Sequence, residues 1–292
     1  MSASVGPWDV HGHALAWGIL AALGASYLVM AASSVPGGEG ASARANRGQV
    51  IRFSLAWVAL AVAMTWPIDD LAQRWSLTAR ICQEALLALV VPPLLLSSLP
   101  RRSVIKMTSP HVVDTWMRRL TRPVTATVIF NGVILISLLR PSVALQARSA
   151  ALHGLFNIAL LVSGLIMWIP ALGILPGAGR LSTAGRSAYL FIQSLLANVP
   201  AVIFNVSHRP IYAAYEHKAH PLLPAILDQQ LAGVVVKLAA IAILWGTAAA
   251  IWWGARRAKN RGQDPNPLRW EDVERELLRV ERRPRRRSIS GR

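Results

Sequence analysis

Two charged residues fall inside otherwise apolar stretches of this chain, Glu84 and Lys237. An ionised side chain at the centre of a bilayer costs about 2.5–3.5 kcal/mol on insertion scales and normally faces a partner or water. Each lies about six positions from one end of its apolar segment, roughly 9 Å deep at 1.5 Å per residue, so the two can meet as an ion pair. Arg80 stands four residues before Glu84 and offers a second partner along the same helix. A carboxylate that relays protons is a third use of Glu84. Cys82, His153 and Met64 fall near the same end of their segments, where they can line one pocket. Imidazole suits copper and zinc, and thiolate suits Cu(I), so copper is the ion such a pocket would take. His217 and His220, at i,i+3, can share an ion if their loop is helical. Against this, a histidine in a loop is commonly solvated, and a lone cysteine commonly packs as a small core residue.

Asp228, Gln229 and Gln230 open the last apolar segment. An aspartate there accepts backbone N–H bonds and favours the positive end of the helix dipole, so capping of that helix is expected before catalysis. Asp69 and Asp70, after Pro67, read as a solvated turn. Gly177-Ala178-Gly179 has no P-loop lysine after it, and the chain shows neither a nucleophilic triad nor a metalloprotease helix. These residues argue for no enzyme.

The elements that must position these residues are transmembrane helices. Hydrophobic residues make up 53% of the chain and charged residues only 15%, against about a quarter in a soluble domain. Seven apolar segments stand out, at about 14–32, 50–66, 80–98, 123–139, 151–172, 187–206 and 231–253, each long enough to span as a helix. The fold class expected is an all-α integral membrane protein, a bundle of seven transmembrane helices. Residues 107–120 are too short and too charged to span, and read as an interfacial helix. A single cysteine excludes an intramolecular disulfide framework and a zinc-type cysteine cluster.

The net charge of +17 does not point to nucleic acid, because the basic residues sit in short loops between apolar runs. With the C-terminus in the cytoplasm, the inner loops hold Arg44, Arg47, Arg52, Arg101, Arg102, Lys106, Arg118, Arg119, Arg122, Arg180 and Arg186. The outer loops hold only Arg74, Arg140, Arg148, Arg209 and Lys218. This bias predicts an odd number of spans with the N-terminus outside. Residues 1–13 form a polar outer segment carrying Asp9, unlike a basic cleavable leader; 14–253 form the membrane domain; 254–292 form a basic cytoplasmic tail. The stretch from Trp270 to Arg283 reads as a charged helix that can lie on an anionic leaflet.

Several motifs are more specific than apolar runs. Asp228-Gln229-Gln230-Leu231-Ala232-Gly233 opens the last span. Ala88 to Leu95 carries Pro92-Pro93 at the close of the third, with Leu99-Pro100 after it. Leu152-His153, Phe156 and Gly164-Leu165-Ile166-Met167-Trp168-Ile169-Pro170 fill the fifth. From about Arg52 to Trp253 the chain resembles the CtaG family, membrane assembly factors of bacterial cytochrome c oxidases. The resemblance implies a multi-pass protein of the bacterial cytoplasmic membrane. It would support biogenesis of a haem–copper oxidase and meet an oxidase subunit and membrane lipids as partners. Copper handling is implied only through family histidines near the outer face. Here Glu84 and Arg80 stand where the family carries histidines, Leu138-Leu139-Arg140-Pro141 replaces a Trp-His-x-Pro pattern, Asn157 replaces the partner of His153, and Val236-Lys237 replaces Met-Trp. The resemblance therefore implies a divergent member, a scaffold without its own metal, with Glu84 and Lys237 as the substitute pair. A Cu(I) carrier and a permanent accessory subunit are the alternatives.

Overall fold

The structure, a computed structural model, describes residues 12–32, 46–174, 181–216 and 223–262. His217, His220, Gly177-Ala178-Gly179 and the expected helix from Trp270 to Arg283 lie outside the described residues. Within them the chain is helical and contains no strand. Each of the seven apolar segments coincides with a helix: α1 (Ala14–Ala32), α2 (Arg47–Met64), α4 (Leu77–Ser98), α7 (Pro123–Ser137), α9 (Ala150–Leu172), α10 (Thr183–Val206) and α12 (Ala225–Asn260). Shorter helices lie between them: α3 (Ile68–Arg74), α5 (Arg101–Met107), α6 (His111–Leu120), α8 (Arg140–Arg148) and α11 (Ala213–Glu216).

Five stretches are long and apolar enough to cross a bilayer, at Arg47–Arg74, Leu77–Ser98, Ala150–Leu172, Thr183–Val206 and Ala225–Asn260. The pair α6 and α7, bent by 74° at their junction, makes a sixth when taken as one span. Helix α1 is apolar over Ala16–Met30, shorter than the others by the same measure. Outward faces carry large apolar side chains such as Val58, Val128, Leu195 and Val202, as helices in lipid do. These features make the chain a multi-pass helical membrane protein.

Helix α4 is the hub, packing on α2, α3, α9 and α12. Its interior is irregular. Pro92 has no N–H to return to Ala88, and the helix widens to a π-turn over Leu86–Val90. The Ala88 carbonyl accepts instead from Trp168 Nε1 of α9 at 3.2 Å, and Trp168 is fully buried. One turn earlier in α9, Gly164 makes that approach possible, since a Cβ there would stand 2.9 Å from Ala88 O. On the far side α10 and α12 pack at Gly233, where a Cβ would stand 2.9 Å from Ala201 O and overlap the Asn205 amide. Helix α1 is held to α2 by the stacked rings of Tyr27 and Phe53 and by Trp57 Nε1 on Leu20 O at 3.0 Å.

Crowding a close helix contact forces backbone shifts that cost about 1–3 kcal/mol. Gly233→Ala is therefore expected to lower the thermal midpoint of the detergent-solubilised protein by several degrees. Gly132→Ala adds the same methyl group where nothing lies within 4 Å, and is expected to leave the midpoint unchanged. Differential scanning fluorimetry of the two variants checks the pair.

Candidate functional site

Apart from Lys237, the described polar residues singled out in the sequence gather at the end of the bundle where α4 and α12 begin. The first backbone N–H groups of a helix have no partner within it. Ser76 caps α4 by accepting from Ala79 N at 3.1 Å, and Asp228 supplies the rest from 150 residues away. Its Oδ2 accepts from Leu77 N at 2.7 Å, and its Oδ1 accepts from Thr78 N at 3.2 Å and from Ser76 Oγ at 2.8 Å. Thr78 Oγ1 donates to the Asp228 carbonyl at 2.7 Å. The expectation that Asp228 caps its own helix is thus corrected. Helix α12 starts six residues before the apolar run, after Pro224, so Asp228 lies within its first turn and points across to α4. Gln229 is also a strap between elements. Its Oε1 accepts from Ile211 N at 2.8 Å and its Nε2 donates to Phe204 O at 3.3 Å in the last turn of α10. Gln230 sits beside them, half-buried.

Arg80 and Glu84 form a buried ion pair, Nε to Oε1 at 3.2 Å, with Arg80 1% exposed. Arg80 Nη2 also donates to Ser137 O at 3.1 Å and to Gln146 Oε1 at 2.9 Å, and Ser137 Oγ donates to Glu84 Oε1 at 3.3 Å. The pair therefore ties α4 to the end of α7 and to α8. The expected pairing of Glu84 with Lys237 is not what forms. Glu84 lies about 10 Å along α4, whereas Lys237 lies about 18 Å along a helix that starts early at Ala225, and its side chain is exposed. Of the two partners open in the sequence, the one four residues away on the same helix holds the carboxylate.

Asp69 and Asp70 do not form a solvated turn. Asp69 Oδ1 accepts from Gln83 Nε2 at 2.7 Å and from Asn157 Nδ2 at 3.3 Å. His153 Nε2 faces the same oxygen at 3.2 Å, while His13 Nδ1 faces Oδ2 at 3.5 Å. His13 Nε2 meets Asp70 Oδ2 at 3.1 Å. Buried polar groups need partners, and these carboxylates serve donors from α4, α9 and the start of α1 at once.

The pocket expected from Cys82, His153 and Met64 is not assembled. Cys82 is half-buried and lies near Asp228, about 200° around α4 from Glu84. His153 faces Asp69, and Met64 packs with Leu20, Leu60 and Leu87. Among the described residues no three His, Cys, Asp or Glu side chains are grouped so as to hold a metal ion. Sequence reasoning missed Ser137, Gln146, Gln83, Tyr212 and Tyr215. Tyr212 Oη donates to Leu138 O at 2.7 Å and Tyr215 Oη to Ala72 O at 2.8 Å. Burial pushes both phenols up from their ordinary range, so each stays a neutral donor. Their i,i+3 spacing and the glutamines in apolar surroundings were the available signals.

Below the ion pair lies an apolar cavity of about 130 Å³ between α4, α7, α10 and α12. Glu84 lines one side of it, and Asn131 and Gln193, bonded at 2.9 Å, line another. The π-turns at Leu86–Val90 and Ile241–Trp245 pass beside it.

Removing one member of a buried pair strands a charge at about 3–5 kcal/mol, while an apolar replacement of both can be neutral. Arg80→Met alone is expected to destabilise strongly, and Arg80→Met with Glu84→Leu to recover most of the loss. Asp228→Ala, which orphans two amides, is expected to cost about 2–4 kcal/mol. Unfolding of the purified variants followed by tryptophan fluorescence measures all three.

A protein-family comparison matches residues 25–258 to the cytochrome c oxidase caa3 assembly factor family, Caa3_CtaG. No curated protein and no solved structure matches the chain.

Proposed function

We propose, from the premise that the chain belongs to the cytochrome c oxidase caa3 assembly factor family, that it holds an oxidase subunit in the membrane during assembly and carries no metal of its own. The observation that carries this reading is the buried Arg80–Glu84 pair. Where the resemblance calls for histidines, this chain places two opposite charges that neutralise each other and are bonded to Ser137 and Gln146. Such an arrangement fixes helices relative to one another and offers no open coordination. His153 Nε2 stands 3.2 Å from Asp69 Oδ1, and Cys82 faces a different side of its helix from Glu84, so the two do not share a site, which further supports a scaffold.

In this reading the molecule has seven spans, with α1 and α7 completing the set, the N-terminus outside and the C-terminus in the cytoplasm of a bacterial cell. Residues 1–13 are the outer segment, 14–253 the membrane domain and 254–292 the basic tail. The excess of arginine at the ends of α2, α6 and α12 supports that orientation.

Deleting the gene in its host is expected to lower the haem a signal and oxidase activity of the membranes. Both the wild-type chain and a Cys82→Ala, His153→Ala double variant are expected to restore them. Cu(I) added anaerobically to the purified wild type should remain at background. A double variant that accumulates normally but fails to restore the oxidase, together with one copper per wild-type chain, would make this a copper carrier and overturn the scaffold reading.

A further inference from the structure

At the end of the bundle opposite the polar cluster, α6 turns away from α7 by 74°. If α7 follows the bundle axis, α6 runs across it. The sequence of α6, His-Val-Val-Asp-Thr-Trp-Met-Arg-Arg-Leu, places Val112, Val113 and Trp116 on one side and Asp114, Thr115 and Arg118 on the other. The apolar side is uncovered, with Val112 67% and Trp116 57% exposed. The polar side is partly shielded, and Arg118 Nε bonds Asp114 Oδ2 at 2.9 Å. A helix lying across a bundle end with its apolar side uncovered has the geometry of one seated in a bilayer interface.

Acidic residues separate sharply between the two ends. Among the described residues, Asp69, Asp70, Glu84, Glu216 and Asp228 stand at the α4-start end, and Asp114 is the acid at this one. Arg119 and Arg122 are exposed at and just after α6, Arg52 is exposed at the start of α2, and Arg256, Arg257, Lys259 and Arg261 are exposed at the finish of α12. Just before that basic run Trp252 and Trp253 are exposed, and the Arg257 guanidinium lies 5.1 Å from the Trp253 ring centroid. Tryptophan beside arginine is the usual occupant of the headgroup level, so this end carries its own marker of the bilayer surface.

We propose that α6, with Arg119 and Arg122, is a binding surface for anionic phospholipid. Val112, Val113 and Trp116 enter the acyl region, and the two guanidiniums meet lipid phosphates. With Asp114 bonded to Arg118, the charge of Arg119 and Arg122 selects an anionic leaflet over a zwitterionic one. Each basic side chain at such a surface strengthens attachment by about fivefold.

The test uses the full chain in nanodiscs of phosphatidylcholine alone or with one third phosphatidylglycerol. Hydrogen exchange is read over 111–122, with 195–206 in α10 as the internal reference. Exchange over 111–122 is expected to be at least fivefold slower in the anionic discs. That difference should vanish at high salt and in Arg119→Gln with Arg122→Gln. Trp116→Ala should speed exchange in both lipids, separating apolar insertion from charge. Equal exchange in the two lipids, a difference that survives the double substitution, or a footprint on 111–122 left by a co-purified protein in place of lipid would each overturn the proposal.

Discussion

Inside a bilayer the backbone has no water to bond, so every amide and carbonyl that a helix cannot satisfy must be met by another part of the protein. In this chain that demand concentrates on α4. Its first turn presents unpaired N–H groups, and Pro92 leaves the Ala88 carbonyl without its helical donor. Asp228 meets the first need from α12, and Trp168 meets the second from α9. The helices that supply these groups are those that α4 packs against. The architecture of the bundle and the satisfaction of one helix's backbone are therefore the same set of contacts.

This explains which parts of the structure were legible in advance. The positions of the seven helices followed from apolar length alone. The motifs Asp-Gln-Gln-Leu-Ala-Gly, Pro-Pro and Gly-Leu-Ile-Met-Trp-Ile-Pro stood out because each holds a residue whose job is to serve another helix: Asp228 and Gln229, Pro92, Gly164 and Trp168. Their partners were not legible. Nothing near Asp228 in sequence marks Leu77 as its target, and a capping rule built on local contacts assigns it to its own helix. The Glu84 pairing failed for a related reason. Depth was counted from where the apolar run begins, but α12 starts earlier, at a proline, and carries Lys237 past the level of the carboxylate and out to the surface.

The Arg80–Glu84 pair is better understood as a device for orientation than as a source of stability. Burying two charges costs more than a surface pair returns, and an apolar replacement of both is often no worse. What the pair adds is direction. Arg80 reaches a carbonyl of α7 and an amide of α8 simultaneously, and Gln73 of α3 bonds the backbone of that same Gln146 at 3.2 Å. Sliding or rotating α4 would break several such bonds at once, whereas an aliphatic seam would tolerate it. The aspartates that hold His13 and Asn157 act in the same way on α1 and α9.

The distance along the chain between α4 and its cap sets a schedule. Leu77 and Asp228 are 151 residues apart. At about 5–20 residues per second, on the order of ten seconds or more pass between the synthesis of the two. Throughout that interval the opening turn of the hub helix is unanswered by the group that will finally hold it. Of the described helices α12 is the last to be made and the one that closes the fold, so a nascent chain truncated before Asp228 lacks both the latch on α4 and the wall that α12 supplies.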